Sequence, residues 1–120
     1  IAKADISIGN LEGPVSGPCK KIPGKNWSYN VDPRSVHGLK AAGFDAMIMA
    51  NNHITDCGNV GIKASIQHLR SVKIASFGGG LTPTQAHAPY IVKTRGVTIG
   101  VLAYLAPYIY LKGKKFSYYK

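Results

Sequence analysis

Acidic residues are scarce in this sequence, cysteine is nearly absent, and no long apolar run occurs. Five Asp and Glu stand against fifteen Lys and Arg, for a formal net charge of +10 over 120 residues. Such a balance favours polyanionic partners. No apolar stretch approaches the roughly 20 residues that span a bilayer. No signal peptide and no initiating Met are visible, so a mature, truncated or partial chain is expected. Cys19 and Cys57 do not form a C-x-x-C arrangement. They permit one disulfide without demanding it, and two separate thiols are the expectation. Internal repeats and low-complexity segments are also missing. What remains is one domain's worth of chain, enough for a real core and too little for two.

The basic residues are mostly scattered. They cluster only around Lys20, Lys21 and Lys25, and again at Lys112, Lys114 and Lys115. Trp27 and Tyr29 flank the first cluster, and Phe116, Tyr118 and Tyr119 the second. Solubilising loops are the plain reading of these clusters. A polyanion-binding surface using Lys20, Lys21, Lys25, Lys114 and Lys115 is the functional one. Nucleic acid would rest on charge and aromatics alone, with no recognisable module, and is not expected as a partner.

Apolar periodicity sets the elements. Ala4 to Ile8 alternates, with Ile6 and Ile8 on one face, and predicts a short strand. Residues 16 to 31 are polar and broken by Gly17-Pro18 and Pro23-Gly24, which predicts a long loop. Asp32-Pro33 opens a helix striped by Val36, Leu39 and Ala42 and stopped by Gly43. Asp45 to Ala50 is continuously apolar after its first residue, as in a parallel strand buried on both faces. A second helix over 59–71 sets Ile62, Ile66 and Leu69 on one face. A third strand over Val72 to Phe77 ends at Gly78-Gly79-Gly80, and Thr82 to His87 reads as one helical turn. Tyr90 to Lys93 and Val97 to Tyr104 form a hairpin about Thr94-Arg95-Gly96. The order is that of an α/β fold with parallel crossovers followed by an antiparallel hairpin. The tail from residue 106 onward has no assignment.

In open α/β sheets, ligands bind at the carboxyl ends of strands. Asn10 and Glu12 follow the first strand, and Asn51, Asn52, His53 and Asp56 follow the second. If those strands are neighbours, their ends lie about 5 Å apart, and carboxylate, amide and imidazole groups meet at one rim. Such an O/N set suits Mn, Fe or Zn. The competing reading is loop capping, in which the same side chains bond free backbone groups. Three further histidines, His37, His68 and His87, read as helix-surface or loop residues.

Several segments together resemble the bacterial capsule-synthesis family of CapA type. They are Ala4-Asp5-Ile6-Ser7-Ile8-Gly9-Asn10-Leu11-Glu12-Gly13-Pro14, Leu39-Lys40-Ala41-Ala42-Gly43-Phe44-Asp45 and Ala50-Asn51-Asn52-His53-Ile54-Thr55-Asp56-Cys57-Gly58. Gly78-Gly79-Gly80 with Ala86 and Pro89, and Gly96-Val97 with Gly100-Val101-Leu102-Ala103-Tyr104, continue the match in order to about residue 105. The resemblance implies a calcineurin-like metallophosphatase relationship. It implies an αββα sandwich incomplete at both ends, with this chain a single partial domain. It implies Glu12 and Asn52 as metal ligands and His53 as the group that protonates a leaving oxygen or steadies a phosphate. Asn10, Asn51 and Asp56 would support or ligate, with Asp56 capping the next helix or orienting His53. One divalent metal, or two in the full-length protein, would be the cofactor. Poly-γ-glutamate or a phosphoester would be the substrate, handled at the cell surface beside a membrane-bound synthase. The sequence departs from the superfamily pattern at Ala50-Asn51, which replaces a Gly, and at Ile54, which takes an acidic position. Further ligand motifs are expected before residue 1 and after residue 105. A polymer-binding export component without catalysis is the alternative function.

Overall fold

A computed structural model describes residue 1 and residues 3–20 and 27–106. The elements follow the order β1 (Ile8–Asn10), α1 (Ser35–Ala41), β2 (Ala46–Ile48), α2 (Gly58–Ser71), β3 (Ala75–Phe77), α3 (Pro83–His87), β4 (Tyr90–Thr94) and β5 (Val97–Val101). The fold is α/β, as expected. Strands β1, β2 and β3 form a parallel sheet with β2 in the centre, and β4 pairs with β5 in a separate antiparallel sheet.

The continuous apolar run becomes the central strand. Ala46, Met47 and Met49 are buried, as a strand flanked by two neighbours and covered by helices requires. Helix α2 turns Gly61, Ile62, Ser65 and Leu69 inward. The core joins Leu11, Val15, Val36, Met47, Met49, Ile54, Ile62, Leu69 and Ile74. Burying side chains such as Leu69 or Met49 completely contributes about 1.5–3 kcal/mol each.

Several boundaries differ from the sequence reading: the second strand is Ala46–Ile48 rather than Asp45 to Ala50, the fourth extends to Thr94, and the fifth ends at Val101 rather than Tyr104. The first strand is Ile8–Asn10 rather than Ala4 to Ile8, so Asn10 is its last residue and not part of the loop after it. Before it, the Ser7 N–H donates to Asp45 Oδ2 at 2.8 Å, and Ser7 O accepts from the amides of Asp45 and Ala46. This anchor buries Ser7 and leaves Ile6 and Ile8 half-buried, the reverse of the expected alternation. The first helix starts at Ser35 rather than at Asp32-Pro33. Asp32 turns its carboxylate back onto the Arg34 N–H at 2.8 Å and so closes a local turn ahead of the helix. Ala42 is exposed, so the buried stripe is narrower than predicted. The third strand is cut to Ala75–Phe77 because α2 runs to Ser71 and Lys73 leaves it at φ 58°.

Other expectations hold. Gly43 ends α1 at φ 90°, with the Phe44 amide donating back to Leu39 O. Thr82 caps α3, its Oγ1 accepting from the Gln85 amide at 3.2 Å. The hairpin turns at Arg95 and Gly96, both with positive φ, as a two-residue primed turn requires. Phe77 stacks on Tyr90 with centroids 5.4 Å apart, which ties the hairpin to the parallel sheet.

The two cysteines are paired. Cys19 and Cys57 form a disulfide with a Cα–Cα distance of 5.7 Å. The expectation of separate thiols is corrected: the loop after β1 folds back across α2's start, which 38 residues of sequence separation conceal. A parallel bridge between Val15 and Val31 pins the base of the same loop.

Candidate functional site

The site begins with strand adjacency. β1 and β2 are direct parallel neighbours, with Asn10 opposite Ile48. The Leu11 N–H donates to Ile48 O at 2.9 Å, so pairing continues one step past the strand and delivers Glu12 to the same rim as the turn after β2. That turn follows Met49, whose amide donates to Phe77 O at 2.8 Å.

Asn51 is the hub of the rim. Its Nδ2 donates to Asn10 Oδ1 at 3.1 Å and to Leu11 O at 2.7 Å. Its Oδ1 accepts from the amides of His53 at 3.0 Å and Ile54 at 2.9 Å. The buried amide thus uses both donors and both acceptor positions and joins the β1 turn to the β2 turn. Asn10 Nδ2 donates onward to Glu12 Oε2 at 2.7 Å. Glu12 is exposed, and Asn52 is half-buried between Asn51 and His53.

His53 is set by a second network. Its Nδ1 lies 2.8 Å from Asp56 Oδ2. Asp56 is fully buried, and the same oxygen accepts the Tyr29 N–H at 2.7 Å. The Tyr29 ring lies against the imidazole, centroids 4.2 Å apart and planes tilted by 50°. With the Asp56 carboxylate ionised and able only to accept, Nδ1–H is the donor of this bond, and the neutral form of the ring then has its lone pair on Nε2. A neutral imidazole in this tautomer can take up a proton at Nε2 and release it again.

The family model of the bacterial capsule synthesis protein PGA_cap matches residues 1–118. The chain belongs to this family. It is 27% identical over 112 residues to the capsule biosynthesis protein CapA of Bacillus anthracis, an alignment covering 91% of this chain and 27% of that relative. The chain therefore spans about a quarter of the length of the curated relative it matches.

Within this PGA_cap chain, the structure brings Asn10, Glu12, Asn51, Asn52, His53 and Asp56 to one edge of the parallel sheet through these contacts and their adjacency in sequence. Asn51 and Asp56 are engaged with protein partners. Helix α2 has Cys57 at its cap with no capping bond from that side chain, and Asp56 just before it bonds the histidine. Among the described residues, no three His, Cys, Asp or Glu side chains are grouped so as to hold a metal ion. Lys20 is exposed. Lys21, Lys25, Lys114 and Lys115 lie outside the described residues.

Tyr29 escaped the reading by site chemistry. It sits in the long loop, 27 residues before Asp56, and its only sequence signal was an aromatic beside a basic cluster. Gly13 carries the other half of that signal. A Cβ there would meet Tyr29 Cβ at 2.8 Å, so the glycine after Glu12 lets the loop close on the rim.

Proposed function

We propose that this chain is the rim-bearing part of an extracytoplasmic capsule-polymer synthesis protein that acts as a hydrolase on an anionic polymer or phosphoester. The single observation that carries the reading is the His53–Asp56 pair, a buried carboxylate on a half-buried imidazole, on the same sheet edge as Glu12. In this role His53 exchanges a proton at Nε2 with the attacking or leaving oxygen, while Asp56 holds its ring and tautomer.

The cofactor in this reading is a divalent metal ion, Mn, Fe or Zn. The exposed carboxylate of Glu12 and the side-chain oxygen of Asn52 fit such an ion in chemical kind. They do not complete its coordination, so the remaining ligands come from beyond the described residues. When bound, the ion would polarise the scissile group and lower the pKa of a bound water. Asn10 and Asn51 hold the two turns in register and keep the Glu12 carboxylate oriented.

A disulfide supports an oxidising compartment outside the cytoplasm. Among the described residues, no helix is long and apolar enough to cross a membrane. The substrate we favour is poly-γ-glutamate, whose charge complements the +10 of the chain. A membrane-bound synthase complex is the proposed assembly.

The test uses full-length protein with and without Mn²⁺, on a chromogenic phosphodiester and on poly-γ-glutamate. Metal-stimulated turnover lost in His53→Ala supports the hydrolase. The net charge favours one second reading, a polymer-binding export component. Salt-sensitive retention of poly-γ-glutamate without turnover, unchanged by His53→Ala, would establish that reading instead.

A further inference from the structure

We propose that Tyr29 is a positioning residue that, together with Asp56, holds the His53 imidazole in one ring plane and one tautomer. The inference rests on the reading of His53 as the proton-transfer group, and it adds a residue from a loop outside the sheet edge.

Three observations converge on Tyr29. Its backbone N–H and His53 Nδ1 share one oxygen, Asp56 Oδ2, at 2.7 and 2.8 Å. Its ring packs against the imidazole at 4.2 Å between centroids. Its segment is fixed from both sides, by the Val31 amide donating to Pro14 O at 2.8 Å and by the close approach of Gly13. The Cys19–Cys57 disulfide closes the far side of the same loop, onto the residue next to Asp56.

The consequences follow from the shared oxygen. The terminal torsion of a carboxylate is broad and soft. The Tyr29 N–H adds a backbone donor on the same oxygen that takes the imidazole, and so restrains that oxygen against His53. The Tyr29 ring then blocks rotation of the imidazole and keeps water away from Nδ1, where it would compete with Asp56. The His53 side chain is only 14% exposed, whereas Tyr29 remains 49% exposed on its outer side. Tyr29 is thus a wall of the site as well as its brace. A core aromatic would be covered on both faces.

The experiment reads the histidine directly. Long-range ¹H–¹⁵N spectra of the chain with its disulfide intact, at one pH alkaline enough to keep the imidazole neutral and without added metal, report the His53 tautomer from its two ring nitrogens. The expected result is two well-separated ¹⁵N resonances, the protonated one being Nδ1. Tyr29→Ala should pull the two resonances toward a common averaged position, and Tyr29→Phe should restore the separation. Should Tyr29→Ala fail to fold, Tyr29→Leu carries the same test, since it fills volume without a planar ring. Resonances unmoved in Tyr29→Ala or Tyr29→Leu would overturn the proposal, as would Tyr29→Phe behaving like Ala. The measurement needs no turnover, so its failure is distinct from a failure of the hydrolase reading.

Discussion

His53 Nδ1 lies 2.8 Å from Oδ2 of Asp56, a carboxylate with no exposed surface. The pair sits in the turn between β2 and α2, three residues apart, and the turn is stabilised from outside by Tyr29. Replacing Asp56 therefore disturbs stability and chemistry together. Asp56→Ala removes the acceptor of the half-buried Tyr29 N–H and His53 Nδ1 and is expected to cost about 2–4 kcal/mol, measured by urea denaturation. Asp56→Asn should be milder in stability yet should lower turnover in the assay above, because the amide no longer offers a charge to Nδ1–H.

Asn51 should tolerate no substitution. Its amide bridges Asn10, Leu11, His53 and Ile54. Asn51→Asp keeps the shape but turns a carboxylate oxygen toward Leu11 O and Asn10 Oδ1, both acceptors. The expected loss is about 2–4 kcal/mol at neutral pH, partly recovered on acidification as the new carboxyl gains a proton. An Asn51→Asp variant as stable as the parent would show that the amide is not the joint between the two turns.

The disulfide closes a long loop, its cysteines standing 38 positions apart in sequence. Its removal by Cys19→Ser with Cys57→Ser is expected to cost about 2–4 kcal/mol through the added freedom of the unfolded chain. Thermal unfolding of the parent with and without reductant, compared with the double variant, checks this. Reductant should leave the double variant unchanged.

Ser65 is a polar residue inside the core. Its hydroxyl donates to Gly61 O at 2.8 Å and accepts the Val15 N–H at 2.8 Å, so it ties α2 to the segment after β1. Ser65→Ala leaves the Val15 amide buried without a partner. A loss of about 1–3 kcal/mol is expected, read as a lower denaturant midpoint with an unchanged slope.

Asp32 provides a pH prediction. Its side-chain and backbone bonds with Arg34 hold its carboxyl at about 2, against an ordinary value of 3.8. A carboxyl depressed on folding contributes stability above its unfolded pKa and loses that contribution as pH falls from about 3.8 toward 2. The group is solvent-exposed, so the check is the titration itself. A ¹³C carboxyl titration should place Asp32 below the chain's ordinary carboxylates, and Arg34→Ala should return it to their range.

Much of the rim was legible from residue order. Asn10 at the end of one strand with Glu12 just past it, and Asn51 to Asp56 after the next, lie at carboxyl ends that meet because β1 and β2 pair in parallel. The continuous apolar run at Met47 to Met49 marked the central strand, since only a strand covered on both faces can lack alternation. Boundaries were less legible. The Ser7 anchor on Asp45 spans 38 residues and decides where β1 begins, which local alternation at Ile6 and Ile8 could not reveal.

Element type, element order and the turns at Gly43 and Arg95-Gly96 were determined by the sequence alone, because side-chain period and backbone φ are local properties. Tertiary structure decided the Cys19–Cys57 pairing, the seat of Tyr29 on Asp56 and His53, and the use of Ser65 as a core tie. Each depends on which distant segments meet, and these pairs are separated by 38, 27 and 50 residues. Local preference carries no information at that range. Only the closure of the long loop over the edge of the parallel sheet brings those partners within bonding distance.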